Sequence, residues 1–510
     1  MNWKFMQKRN EMMEVKRYLW IFLTLFCCVG CDSLEDTYSD YAGDGPRRYL
    51  GKCTDVEVAP GWKRLQVSWV NGVDPVVKNI KVTWSRAGNV RDTLLPKDAT
   101  ACNILNLEEG DYEIKVCGID EKNNVSFDAI TYSRPYTENH EAVRAFTRVV
   151  SKHFFVKNRL VLFFDNWDEN THEARLCYTT IDGTSKSLQL KDVVKAGKYY
   201  LLPETIDPTQ KVVVERKGYI VGCTDLITFE PIEMKHERTY VTDFKLWMKS
   251  KYGQVNISDD FANNLKELEI DYSISSLEDI LHFPNLEKLH LGKNRFLADA
   301  YLRFFAETSE IFEWEKTLFA LNVANEVLGL KIDRYNKHFL PVSLSYVTEK
   351  GNPVPPVRSF YDMSAWTFKS SIEDEFGYDS HLEWLFDGNP ATAWQPDYNP
   401  TKARLHEIQI DMKERKSLNG IRVCQKDFNP ETEDQLLNWL PGIIMIQVSQ
   451  DGIYWKNATE ASDYSLGNTT AEMTDIVFLT PVNARYLKFL ISDQRYGANY
   501  SVTLAEIGVF

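Results

Sequence analysis

No run of Lys and Arg in this sequence is long enough to form a basic stripe. Asp plus Glu number 73 against 59 Lys plus Arg, a formal net charge of −14. That balance argues against a partner held through a phosphate backbone, so no nucleic acid is expected. Signatures of catalysis are also missing: there is no G-x-S-x-G elbow, no P-loop and no G-x-G-x-x-G. His-Glu pairs stand at His140, His172, His236 and His406, but the position of a second zinc-binding histidine holds Arg144, Leu176, Tyr240 and Ile410. Among 73 acidic residues no two stand out as a glycoside-cleaving pair. Beyond Cys31 the chain has Cys53, Cys102, Cys117, Cys177, Cys223 and Cys424, without C-x-x-C or zinc spacing. They read as buried thiols, with Cys102 and Cys117 as candidates to face each other on neighbouring strands.

What is present is a large globular chain. At ~100–200 residues per domain, 510 residues imply three or four domains. Hydrophobic residues make up 44% and charged residues 26%, a globular and not a disordered balance. The 13% of aromatics favours strands over helices.

The N-terminus sets the expected compartment. Lys4, Lys8, Arg9, Lys16 and Arg17 precede "YLWIFLTLFCCVGC", a basic region followed by an apolar run too short to span a bilayer stably. Residues 1–30 therefore read as a signal peptide. The ending "CVGC" resembles a bacterial lipobox, although Cys28 stands where that family has Leu. The resemblance implies acylation of Cys31, with the membrane reached by this lipid anchor only. "DSLED" after Cys31 resembles the export tag of Bacteroidetes-type surface lipoproteins, which implies the outer membrane and the cell surface. Residues 31–49 lack an apolar period and read as a tether.

Period-two alternation then dominates. "RLQVSWV" (64–70), "NIKVTWSRAG" (79–88) and "LEEGDYEIKVCGID" (107–120) predict a β-sandwich over 50–138. The run from Leu107 through Gly110, Tyr112, Ile114 and Val116 resembles the tyrosine-corner strand of fibronectin type III modules. A second immunoglobulin-like sandwich is expected over 139–233, from "RLVLFFDNW", "EARLCYTT", "KYYLLP" and "KVVVERKGYIVG". In 234–349 the pattern changes. Leu265, Leu268 and Ile270 recur 21 residues later as Leu286, Leu289 and Leu291, with Asn294 following, and partly as Val327, Leu330 and Ile332. That spacing predicts a short leucine-rich-repeat-like α/β segment, with helix at "SLEDIL" and "TLFALNVANEVLG" and Asn294 bonding backbone in its turn. "KGNPVPPVRS" marks a stiff linker over 350–357, and 358–510 is again all β, as in a jelly roll. The fold class is thus mainly β and multidomain.

Matches to one family run in order along the last block. They are "LFDGNPATAW" (385–394), "IQIDM" (408–412), "LNGIRV" (418–423), "IQVSQDGIYW" (446–455), "ARYLKFLI" (484–491) and "LAEIGVF" (504–510). The first resembles the Asp-Gly-x-x-x-Thr-x-Trp signature of the discoidin, or coagulation factor 5/8 type C, domains, which overlap a large family of carbohydrate-binding modules. The resemblance implies a galactose-binding-like jelly roll and a structural calcium ion. Oxygen donors would come from Asp387, Thr392 and Glu506 and from the carbonyls of Trp384, Asn389 and Ala505. The alternative is a metal-free turn in which Asp387 bonds its own backbone. Trp394 and Trp455 are expected in the core.

A sugar site needs an aromatic face and a few donors and acceptors. In this family such groups sit on loops at one end of the jelly roll. Here the loops offer Tyr361, Trp366, Tyr378, Gln395, Tyr398, Lys426, Phe428, Arg495, Tyr496, Asn499 and Tyr500, with "RYGANY" the richest segment. Lys426 stands where carbohydrate-binding members often have Arg, and it lacks the planar fork. The expected function is a non-catalytic surface lipoprotein that binds a glycan or polysaccharide. The alternatives are a protein-binding adhesin or assembly component, with other surface proteins as partners, and a glycoside hydrolase carrying this module.

Overall fold

The computed structural model describes residues 49–297, 309–336, 339–371, 381–399, 401–429, 432, 439–461 and 466–510. Cys31 and the tether, like Tyr378, lie outside them. Among the described residues no helix is long and apolar enough to cross a membrane, and all six cysteines are free.

The described residues divide into two compact units, one holding those up to Phe146 together with Gly218–Thr228 and the other holding the remainder. In the first, Thr54–Gly61, Arg64–Val70 and Ala101–Ile104 form one antiparallel sheet. Asn89–Pro96, Asn79–Arg86, Tyr112–Ile119 and Ala129–Ser133 form the other. Alternation decides which side chains face inward: Leu65, Val67, Trp69, Ile80, Val82, Ile114 and Val116 make the core between the sheets. The Tyr112 hydroxyl accepts the Glu108 N–H at 3.2 Å, closing the corner before its own strand. Cys102 pairs with Val67 in one sheet and Cys117 with Lys81 in the other, so these two cysteines are not on neighbouring strands.

The second unit opens with another sandwich. Ser185–Gln189, Thr171–Thr179, Val213–Gly218 and Ile232–Glu233 face Tyr199–Thr205, Arg159–Phe164 and Val150–Val156. The run "LVLFF" has no polar alternation because both faces of its strand are covered. Leu160, Leu162 and Phe164 enter the sandwich core. Val161 and Phe163 enter a second core shared with the segment after residue 233.

That segment is a parallel sheet of Glu267–Ile270, Lys288–Leu291, Lys331–Tyr335 and Val347–Lys350. The recurring leucines lie side by side, Leu268 against Leu289 against Ile332. It is not a uniform repeat array, because its connections differ: a 3-10 turn at Glu278–His282 lies between the first two strands and the helix Trp314–Leu328 between the next two. Gly329, at φ 77°, ends that helix in the left-handed conformation that glycine tolerates best. Asn294 also departs from expectation. Its amide donates to the carboxylates of Glu269 (3.0 Å) and Asp271 (2.9 Å) and not to backbone.

The last block is a sandwich built around two 20-residue strands, Leu405–Cys424 and Met473–Ser492. "HEIQIDM" and "GIRVCQ" read as two strands in the sequence but are one. The residues between them contain no Pro or Gly turn, and the chain bends through register shifts at Asp411/Lys416 and Leu418/Gly420 instead. Thr367–Ser370, Ile444–Ser449, Lys456–Ala461 and Glu506–Val509 complete the sheet.

Two buried ion clusters lock the parallel-sheet block to its neighbours. On one side Lys152 Nζ lies 2.9 Å from Glu278 and 2.6 Å from Asp279. On the other, Arg295 donates from Nε and Nη2 to the two carboxylate oxygens of Glu472, at 2.8 and 2.7 Å, with both side chains wholly buried. Removing one partner leaves an uncompensated buried charge. Arg295→Ala is expected to lower stability by about 3–5 kcal/mol in urea unfolding of the full chain. A change below about 1 kcal/mol would show that the pair is not closed in solution.

Candidate binding site

The turn at 385–394 begins where the 3-10 helix Leu382–Phe386 ends. Asp387 Oδ1 accepts the Asn389 N–H at 2.8 Å, and the Thr392 hydroxyl lies 2.8 Å from both Asp387 Oδ2 and the Asn389 carbonyl. Gly388 takes φ 75° and donates its N–H to Glu506 Oε2 at 2.9 Å. A turn is thereby tied to the final strand across 118 residues. Burial, and then the Asp387 carboxylate beside it, push the Glu506 carboxyl up to about 8. Ala505 is buried next to Glu506, and half-buried Trp384 packs edge-on against His381. Among the described residues no three His, Cys, Asp or Glu side chains gather as a metal site. This set has two carboxylates, and the rest of its donors are neutral oxygens, which is a donor chemistry suited to a hard cation. Trp394 is buried, edge-on to His406 at 5.1 Å, and is paired through its backbone with Leu504.

The sugar-site candidates do not form one cluster. Trp366 is 8% exposed and belongs to the core with Leu385 and Ile410. It presents no face to a ligand, which corrects its reading as a binding residue. The carbonyl of Lys426 accepts the Ala471 N–H at 3.1 Å, which places this residue beside Glu472 and the Arg295 joint. Phe428 is buried with Leu440. Gln395 is half-buried and Tyr398 is 49% exposed.

"RYGANY" folds as a hairpin, Gln494–Tyr496 against Asn499–Ser501. Gly497, at φ 59°, makes the two-residue turn possible. The register pairs Arg495 with Tyr500 and Tyr496 with Asn499, so the segment is split between two faces. On one face the Arg495 guanidinium lies 5.9 Å from the Tyr500 ring centre. On the other, Tyr496 stands with Asn499 and meets Trp439 edge-on at 6.3 Å. Backbone bonds between Asn399 and Tyr500, at 2.7 and 2.9 Å, bring the segment carrying Tyr398 alongside.

A buried charge cluster holds both segments. Asp493 accepts from His406 Nε2 (2.8 Å), Arg404 Nε (2.8 Å) and the Arg404 N–H (3.0 Å). Arg404 also donates to the Asp397 carbonyl, next to Tyr398. Burial pushes the Asp493 carboxyl up, but the hydrogen bonds from His406 and Arg404 more than offset it and hold it below the ordinary range. Neither this cluster nor Trp439 was found by sequence reasoning. Arg404 and Asp493 are 89 residues apart, and no local pattern marks them. The two aromatic candidates should therefore respond differently to truncation. Trp366→Ala is expected to cost about 3–5 kcal/mol of stability and Tyr496→Ala less than about 1, as read by thermal melting. Equal losses would place both rings in the core.

Comparison with known proteins gives two family matches and no curated relative. Residues 367–506 match the model of the F5/8 type C domain, and residues 31–212 match the model of a domain of unknown function. No curated protein matches the chain. Several solved structures resemble parts of it. The family 32 carbohydrate-binding module of Clostridium perfringens NanJ, solved with galactose, is 16% identical; the likeness covers 29% of this chain and 95% of that one, with a TM-score of 0.23. A further family 32 module, from a Clostridium perfringens family 31 glycoside hydrolase, is 18% identical over 30% of this chain and 94% of that one, at a TM-score of 0.25. A segment of two fibronectin type III domains from chicken tenascin is 16% identical over 36% of this chain and 97% of that one, at 0.18. By the family match, residues 367–506 of this chain are an F5/8 type C domain.

Proposed function

We propose that this chain is a non-catalytic, lipid-anchored protein of the cell surface that binds carbohydrate through its F5/8 type C domain. One observation carries the reading. Tyr496, 44% exposed, shares a hairpin face with Asn499 and meets Trp439 edge-on, and the hairpin stands on the buried Asp493 cluster. Such a face offers rings for the C–H side of a sugar and an amide for its hydroxyls. Because the support is rigid, little ordering is needed on binding. The lipid anchor at Cys31 and the outer-membrane location rest on the lipobox-like "CVGC" and the acidic stretch after it. Many anchored copies on one membrane would raise a weak single-site affinity.

A calcium ion belongs to the same proposal. Asp387 and Glu506 would hold it, with Thr392 and the carbonyls of Trp384, Asn389 and Ala505. Bound there, it would supply the positive charge that two neighbouring carboxylates lack. The support is the Asp387–Glu506 juxtaposition and the raised Glu506 carboxyl.

A glycan array with the full chain tests the reading. Tyr496→Ala should weaken binding about tenfold. A chain that binds no glycan but captures a protein partner would favour the adhesin alternative, and sugar release from polysaccharides would make it a hydrolase. Calcium should raise the melting temperature, EDTA should reverse that, and Asp387→Ala should abolish the response. A calcium response retained in Asp387→Ala removes the ion from this turn.

A further inference from the structure

A cleft of about 710 Å³ opens between the second sandwich and the parallel-sheet block, far along the chain from the hairpin described above. Its size lies within the roughly 300–1,000 Å³ of small-molecule sites. The walls come from the strands Val150–Val156, Arg159–Phe164 and Tyr199–Thr205 on one side and from the start of the helix Trp314–Leu328 on the other.

Its polar groups fall into two sets. The floor is locked. Lys152 bonds Glu278 Oε1 at 2.9 Å, Lys316 lies 3.1 Å from Glu278 Oε2, and Lys316 also pairs with Glu313. This chain of charges runs from the sandwich through the 3-10 turn to the helix, so the cleft is preformed. Among the described residues, none forms a hydrogen bond or ion pair with the side chains of the rim groups Asp165, Lys198 and Glu315. Aromatic surface lies among them. Phe312 is 70% exposed, and half-buried Trp314 and Tyr199 line the cleft. Tyr199 is held by a stack with Phe319 at 5.4 Å.

We propose that this cleft is a second saccharide site, built for a neutral oligosaccharide. Sugar hydroxyls both donate and accept, and the free rim groups provide carboxylates and an ammonium. The exposed ring of Phe312 suits the C–H side of a pyranose ring, with half-buried Trp314 beside it in the cleft wall. Two unpaired carboxylates against one ammonium disfavour a uronate-rich or sulfated chain. The choice of a saccharide over another polyhydroxylated ligand rests on the glycan-binding reading of the C-terminal domain. Two sites on one body would let a single polysaccharide strand engage both.

The test measures binding of the full chain to immobilised galactan, mannan, arabinoxylan and laminarin, with polygalacturonate as the acidic comparator. Phe312→Ser changes an exposed ring, so it should keep the wild-type melting temperature. It should weaken binding to at least one neutral polysaccharide by roughly tenfold or more. Tyr496→Ala should leave residual binding that the double variant with Phe312→Ser loses. Loss with Phe312→Ser and none with Tyr496→Ala would sustain the second site while refuting the C-terminal one. Unchanged binding for both Phe312→Ser and Trp314→Ala overturns the proposal. So does a wild-type chain that binds no neutral polysaccharide, or binding to polygalacturonate that Phe312→Ser abolishes.

Discussion

A guanidinium with no exposed surface persists only where its charge and its donors are met, and Arg295 meets that condition across a boundary. Glu472 takes two of its bonds, Asn468 Oδ1 and Ser309 Oγ take others at 2.8 and 2.5 Å, and the Tyr272 ring lies 4.8 Å from the guanidinium carbon. Glu472 is equally engaged, since its Oε2 also accepts the N–H groups of Asn468 and Thr469 at 3.0 and 3.2 Å. Neither ion could be left behind if the two blocks separated. The parallel sheet and the C-terminal sandwich therefore hold each other's charge, and every loop of the sandwich inherits that fixed frame.

The same logic operates at smaller scale inside the F5/8 type C domain. Asp493 is buried between Arg404 and His406, and the chain on either side of this cluster carries Tyr398 and Tyr496. Glu506 is the contrasting case. It is half-buried, but its carboxyl neighbour is Asp387 and its bond to Gly388 is weak compensation. One acid is held ionised by its protein partners, while burial and a like charge beside it hold the other toward its protonated form.

Much of the architecture could be read from residue order. Alternation in "RLQVSWV" and "NIKVTWSRAG" points to paired strands because each has one wet and one dry face. The 21-residue spacing of leucines anticipates Leu268 beside Leu289, because the same apolar pattern occupies the two neighbouring parallel strands. Ordered matches along 385–510 locate the C-terminal family. What could not be read are facts about distance and face. Arg295 and Glu472 are 177 residues apart and neither sits in a motif. Trp366 looks like any loop aromatic until the core closes over it. "RYGANY" reads as a single patch, but a two-residue turn sends alternate side chains to opposite sides. A bend such as the one between Asp411 and Lys416, which uses neither Gly nor Pro, leaves no mark in composition.

The strand Arg159–Phe164 has no solvent side: one set of its side chains fills the sandwich core and the other fills the next. Ordinary modules can be exchanged between proteins because each keeps its apolar residues to itself. Here a recombination point near residue 233 would hand half of a core to each product and strand Val161 and Phe163 in water. The second sandwich and the parallel sheet therefore share a core and are expected to unfold together as one cooperative piece.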